Sequence, residues 1–486
     1  MTVVLISLLA VPLLGAVAAL LLHDRAGRIV ATVAAAITLV LAVVLLRDIR
    51  PGEIWHQVDA AWVPSLGLRF HLGVDGISYP LIVLTALLTV VCCGYTIWRT
   101  PAPDPGRPQR GNRLAALLLV IEVGLLGTFL ALDLILFFLF FEVVLLPMYA
   151  VIAGWGGPRR AYAARKFALY TLLGSVLLLI GVLGVASAAG TADIVSITAS
   201  GGAGIARTTQ IWLFTLLAIA FAVKSPLWPL HTWLPDAHTE APTVGSVILA
   251  GVLLKMGTYG LIRIGLGTVP AGASAVAPVL GVFAVVAIIV GSLVCLRQVE
   301  LKRLIAYSSV GHMGFVLLGV AAGAAGSEIG IQAALLGNIA HGIITGLLFF
   351  LAGAVKDRAH TGSLGELGGL RETAPALAGV LGFAALASLG LPGLAGFWGE
   401  AFAVVAAVDL GGPLWITLGI TAAVGGALTA AYLLRLLRKV THGPASPALL
   451  DVERVSVVEG VAWAPLVGLA LLLGLVPSLA LIGVLP

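Results

Sequence analysis

What most constrains this chain is a succession of long apolar runs, each bounded by charge, proline or glycine. A transmembrane helix needs about 20 consecutive apolar residues. Runs at 2–22, 29–46, 77–98, 114–131, 133–152, 166–189, 209–230, 242–264, 274–295, 301–323, 329–354, 376–408, 412–434 and 461–482 predict fourteen such helices. Sixty per cent of the 486 residues are hydrophobic and only 10% are Asp, Glu, Lys or Arg. Soluble domains carry about 25% charge, so a soluble enzyme, a disordered tail, a nucleic-acid binder and a secreted disulfide scaffold are all excluded. The runs do not alternate polar with apolar residues, which excludes a β-barrel. The expected fold class is an all-α polytopic membrane protein.

The three cysteines, Cys92, Cys93 and Cys295, are too few for an iron–sulfur cluster, which usually takes four. Neither a dinucleotide-binding glycine fingerprint nor a P-loop occurs in the chain. No cofactor or redox centre is therefore expected on this chain.

The loop charges set an orientation. Twenty of the 27 Lys and Arg residues fall in loops on the side reached after the first helix, among them Arg25, Arg107, Arg159, Lys302, Arg358 and Arg438. Five lie on the other side: Arg47, Arg50, Arg69, Arg207 and Arg263. The positive-inside rule then places both termini outside. The net charge of +5 is an orientation signal rather than a nucleic-acid footprint.

Two runs are interrupted. The seventh breaks at Lys224-Ser225-Pro226, and the twelfth, 376–408, at Gly390-Leu391-Pro392-Gly393. Proline removes a backbone hydrogen bond and clashes with the preceding turn, so each helix should unwind there. If helices 4–8 (114–264) and 9–13 (274–440) are five-helix repeats, each break falls in the fourth member. Five is odd, so the second repeat would be inverted, and paired interruptions in inverted repeats point to a transport site. Three helices in 1–113 and one in 461–486 complete this division.

Glu122, Glu142, Lys224, Lys255 and Glu400 lie inside predicted helices, with His312 and His341. A charge at the membrane centre costs about 2.5–3.5 kcal/mol and normally faces a wet interior or a partner. The chain has 21 Arg and six Lys, yet the two cations read as intramembrane, Lys224 and Lys255, are both Lys. Arg stays charged at any working pH, whereas an interior Lys can release its proton. A Lys facing a Glu is thus a proton switch or a static clamp, and either histidine could be a core residue. Asp133 and Asp75 read as N-caps. His231, Asp236, His238 and Glu240 in PLHTWLPDAHTEAP fit a structured re-entrant turn better than a metal site.

These stretches resemble a known family. VKSPLWPLHTWLPDAHTEAPTVGSVILAGVLLKMGTYG (223–260) is similar to the signature of the antiporter-like subunits of respiratory complex I, and most closely to subunit M, the relative of mitochondrial chain 4. ALDLILFFLFFEVVLLPMY (131–149), LKRLIAYSSVGHMGF (301–315), HGIITGLLFFLAG (341–353) and SLGLPGLAGFWGE (388–400) support it. The resemblance implies that Glu142 and Lys224 form a coupled pair, that Lys255 is a central lysine, and that His312 and His341 connect it to a terminal Glu400. Glu122 resembles a further membrane glutamate of subunit M. Glu rather than Lys at 400, and no long lateral helix after the fourteenth run, favour M over its siblings L and N. The implied activity is proton translocation driven by redox chemistry elsewhere, with flavin, iron–sulfur clusters and quinone on partner subunits. Those partners would be L- and N-type and small membrane-arm subunits, with lipid and no nucleic acid, in a bacterial inner membrane. A Mrp-type cation/proton antiporter and a membrane-bound hydrogenase subunit are the related alternatives.

Overall fold

The computed structural model describes residues 1–99, 110–450 and 452–484. Arg107, counted above among the loop charges, lies outside them. Two compact units divide the chain. One comprises Met1–Ser225, Val252–Pro278 and the residues from Leu481 onward; the other comprises Pro226–Gly251 and Val279–Ala480.

The first stretch runs α1 (Thr2–Leu21), α2 (Asp24–Val44), strands β1 (His56–Val63) and β2 (Leu68–Val74), α3 (Tyr79–Trp98) and α4 (Gly111–Leu130). It continues with α5 (Leu134–Val143), α6 (Leu145–Trp155), α7 (Arg160–Ala189), α8 (Ile194–Ala199) and α9 (Arg207–Lys224). Then come α10 (Trp233–Glu240), α11 (Thr243–Ile248), α12 (Lys255–Gly260), α13 (Pro270–Arg297), α14 (Leu301–Ala324) and α15 (Gly330–Ala359). The chain ends through α16 (Leu370–Thr373), α17 (Pro375–Ser388), α18 (Ala395–Asp409), α19 (Gly412–Thr441) and α20 (Val457–Leu475).

Among the described residues, twelve helical segments are long and apolar enough to cross a membrane. The other two of the fourteen expected helices are the interrupted ones, now seen as α9 and as the α17–α18 pair. The all-α expectation needs correction at one place, because β1 and β2 form an antiparallel hairpin with His56 opposite Val74. Its turn uses Gly67 at φ 67°, a left-handed conformation that glycine adopts without a Cβ penalty. Arg69 donates to both Asp59 oxygens at 2.7 and 2.6 Å across the strands, and this bond holds the Asp59 carboxyl below its ordinary range. Midway along β2, Leu132 N–H donates to His71 O at 2.9 Å, so the hairpin is pinned to the α4–α5 junction.

Three further corrections follow, two to helices that the hydropathy made continuous and one to an expected loop. The expected helix 133–152 breaks at Val144, where Pro147 lacks the N–H that would reach Val143 O. The span 243–266 contains two π-helical turns, Leu249–Leu253 and Leu261–Leu266, on either side of α12. The expected loop over 229–242 instead folds into the buried helix α10.

Burial separates the helices into two kinds. The span 243–266, α14 and α15 are each 94% buried and α4 is 83% buried, whereas α7 and α19 bury a third or less. Glu122, Lys255, His312 and His341 all stand on the four deeply buried helices. A charge on the outer helices would face lipid, where it has no compensation.

Candidate functional site

In the first unit Glu142, Lys224 and Lys255 each stand at a helix end or break, whereas Glu122 lies inside a regular helix. Glu142 is the penultimate residue of α5, two positions before the Val144 break. Lys224 is the last residue of α9, because Pro226 has no N–H to continue the helical ladder. Its ammonium sits 4.8 Å from the ring centroid of Phe141, a cation–π contact that offsets part of its desolvation. Glu142, the next residue, acts electrostatically on Lys224, while its Oε1 is buried with no hydrogen-bond partner among the described residues. The pair is therefore near without being locked by a direct hydrogen bond to that oxygen. Such a gap suits a group that exchanges a proton through water.

Lys255 opens α12 and is fully buried. Its helix reaches α9 through two glycines. A Cβ on Gly257 would lie 2.7 Å from Phe221 O and in steric conflict with Ser225 Oγ, and one on Gly260 would meet the Phe221 ring. The π-turns flanking α12 place Lys255 in a stretch where the i→i−4 ladder is interrupted twice. π-Bulges are frequent at functional sites. Glu122, in regular helix α4, is also fully buried, and neither of its carboxyl oxygens has a hydrogen-bond partner among the described residues.

In the second unit three predicted residues meet directly. His312 Nδ1 lies 2.6 Å from Glu400 Oε1, and the His312 and His341 rings are 5.9 Å apart, centroid to centroid. They line one small cleft together with Thr345 and Ser388. The α17–α18 break builds this wall. Pro392 interrupts the ladder, and Gly390 and Gly393 turn the chain at φ 79° and 89°. A Cβ on Gly399 would clash with the Gly337 backbone and sit 3.3 Å from Ala333 O, so α18 lies against α15 with backbone nearly in contact and Glu400 is brought to His312. Trp398 Nε1 donates to Gly474 O at 2.8 Å and braces α18 against α20.

Several partners were not legible in the sequence. Ser388 Oγ lies 3.0 Å from His312 Nε2; its signal was a hydroxyl immediately before the Leu-Gly-Leu-Pro-Gly break. Lys302, counted as a solvated loop charge, is buried on α14 and donates to Ala241 O at 3.0 Å. Arg358, counted likewise, is buried on α15 and grips both Glu459 oxygens at 2.8 and 2.7 Å. Arg263 is not in a loop either: it lies in the second π-turn and donates to both Asp75 oxygens at 2.6 Å. Lysines are thus not the sole cations within the spans. Asp75 does not cap α3, whose N-cap is Ser78. Asp133 does cap α5, accepting from Ile135 and Leu136 N–H.

The α10 residues are held structurally. Asp236 pairs with Arg303 at 3.2 Å, and the His238 ring stacks on Phe349 at 4.4 Å. Among the described residues no three His, Cys, Asp or Glu side chains group as metal ligands.

Comparison with known proteins places this geometry. Residues 131–425 match the family model described as NADH:quinone oxidoreductase/Mrp antiporter, transmembrane region. The chain is 40% identical to NADH-quinone oxidoreductase subunit M of Rhodobacter capsulatus, over 94% of this chain and 88% of that one. It is 43% identical to NAD(P)H-quinone oxidoreductase chain 4 1 of Synechococcus sp. (strain JA-3-3Ab), over 83% and 75%. Its fold matches a chain of respiratory complex I from Thermus thermophilus with bound NADH at TM-score 0.88 and 30% identity, covering 99% and 97%. It matches a chain of the Mrp complex from Dietzia sp. DQ12-45-1b at TM-score 0.88 and 26% identity, covering 100% and 97%. The multi-pass fold, the paired helix breaks and these matches agree: the chain belongs to the subunit M (chain 4) family of antiporter-like membrane subunits of NADH:quinone oxidoreductase.

Proposed function

We propose that the chain translocates protons as a membrane-arm subunit of a bacterial NADH:quinone oxidoreductase, through Glu142, Lys224, Lys255, His312, His341 and Glu400, with Glu122 as a further carrier. The observation that carries this reading is the placement of acid–base residues at or beside the helix irregularities. Glu142 and Lys224 sit at the Pro147 and Pro226 breaks, and Glu400 follows the Pro392 break on His312. A break frees backbone groups and lets a short helical end move, so a small displacement there changes the distance between an acid and a base. Electron transfer in other subunits supplies the drive, and this chain moves protons without a redox group of its own. Flavin, iron–sulfur clusters and quinone belong to the partner subunits, which include the L- and N-type antiporter-like chains and small membrane-arm chains.

The positive-inside asymmetry supports a bacterial inner-membrane placement with both termini on the outer side. The equivalent positions of the two breaks support the division into inverted repeats, 114–264 and 274–440.

The likeness to the Mrp complex chain favours one second reading, a cation/proton antiporter that works without redox partners. Purification in mild detergent separates the two. The proposal expects a flavin- and iron–sulfur-containing partner set to co-purify, and expects no sodium or potassium movement driven by a pH gradient alone in vesicles. Cation exchange by the chain without a redox partner would reject it.

A further inference from the structure

The proton-path reading uses His312 and Glu400 but leaves unexplained the third group on the same imidazole. His312 is bonded on both sides: Nδ1 to Glu400 Oε1 at 2.6 Å and Nε2 to Ser388 Oγ at 3.0 Å. Ser388 is buried, and it is the last residue of α17, directly before the Gly390–Gly393 turns. We propose that Ser388 is a positioning residue for proton transfer: its hydroxyl fixes which ring nitrogen of His312 faces Glu400 with a proton and follows the ring between its two charge states. This inference rests on the assignment of His312 and Glu400 to the proton path.

Donor and acceptor capacity decides the arrangement. A carboxylate only accepts, so the nitrogen facing it carries the N–H. That makes Nε2 of the neutral ring an acceptor, and Ser388 donates to it. When the ring gains a proton, Nε2 becomes a donor. A hydroxyl also has acceptor lone pairs, so Ser388 rotates its hydrogen away and receives the N–H. Of the small side chains, only one with a hydroxyl serves both states fully. Alanine leaves Nε2 unmatched in each, and an imidazolium deprived of its acceptor loses the stronger, charge-assisted bond. The balance is one proton passing between Nε2 and the next carrier of the proposed path, His341, while the Nδ1 hydrogen stays toward Glu400 and the hydroxyl hydrogen only rotates.

Other groups facing His312 are few. Glu400 comes from α18 and His341 from α15, while Tyr432 on α19 lies within electrostatic range of Glu400. Of the two carboxylates of α10, Asp236 is engaged by Arg303, nine residues back on α14, and Glu240 acts electrostatically on Lys302 at the start of that helix. Because Ser388 is the last residue before the break, any movement of the α17 end carries its hydroxyl with it. The break thereby acts on the imidazole itself rather than only on Glu400.

The test uses the intact complex, purified and reconstituted, with Ser388→Ala, Ser388→Thr, Ser388→Cys and His312→Gln beside wild type. Proton translocation is recorded against pH at equal rates of NADH oxidation. The expected result is that Ser388→Ala moves the pH profile of pumping to the acid side by about one unit, while Ser388→Thr restores the wild-type profile. If the alanine variant does not assemble, Ser388→Cys, a weak donor and acceptor, is expected to show the same displacement. An unchanged profile in the alanine or cysteine variant, or a uniform loss at every pH that threonine does not rescue, overturns the inference. Normal pumping in His312→Gln would instead reject the underlying path assignment, so the two failures are distinct.

Discussion

At the scale of single residues, the contrast between Glu122 and Glu459 separates carrier from clamp. Both are fully buried carboxylates. Glu459 receives two hydrogen bonds from Arg358 and closes a capping box with Ser456. This is the geometry of a structural pair whose disruption strands a charge. Glu122 has no hydrogen-bond partner on either oxygen among the described residues, so it does not act as a helix clamp. Glu122→Gln keeps the size and removes only the titration. It should leave assembly and NADH oxidation intact while lowering pumping about tenfold or more, measured as proton uptake by reconstituted complex. Pumping at the wild-type level would return Glu122 to an inert role. The sequence revealed the ionisable residues because charge is rare in apolar runs, but not which were engaged. Arg358 and Lys302 stand near run ends, where a one-dimensional reading cannot distinguish a solvated loop from a buried first or last turn.

At the scale of elements, proline-marked breaks were legible and the subtler irregularities were not. Pro226 and Pro392 each stand beside glycine, serine or a second proline, and both breaks occur where expected. Pro147 in an otherwise uniform apolar run did not stand out, although it splits α5 from α6. The π-turns around Lys255 leave no compositional trace, because they arise from how the helix packs rather than from local propensity. The hairpin was missed because its strands, only partly buried, carry a weak alternation beside long apolar helices. Glycine contacts set the spacing that these irregular segments need. Gly257→Ala forces a methyl into Phe221 O and Ser225; such overpacking costs typically about 1–3 kcal/mol. It should lower the thermal midpoint of the purified complex and weaken pumping. Gly154→Ala on α6, where an added Cβ meets nothing within 4 Å, should do neither. Equal midpoints for the two variants would contradict the close α9–α12 packing.

At the scale of the whole molecule, each unit carries its own acid–base set: Glu122, Glu142, Lys224 and Lys255 in one, His312, His341 and Glu400 in the other. The opposite apportionment, with charge spread over lipid-facing helices, would have carried an uncompensated solvation penalty. The membrane class and the multi-pass helical fold followed from hydropathy, the buried positions of Glu122, Lys224 and Lys255 from charge depth, and family membership from the 223–260 stretch. Interior hydrogen bonding and helix irregularity were not legible in the sequence, since both depend on packing between residues far apart in sequence, such as Ser388 with His312. The central claim is that these residues conduct the protons whose movement the redox reaction drives. The most direct measurement is the number of protons pumped per electron by reconstituted complex carrying Lys224→Ala, compared with wild type at the same NADH oxidation rate. The account predicts a lower ratio with electron transfer still running, and an unchanged ratio would contradict it.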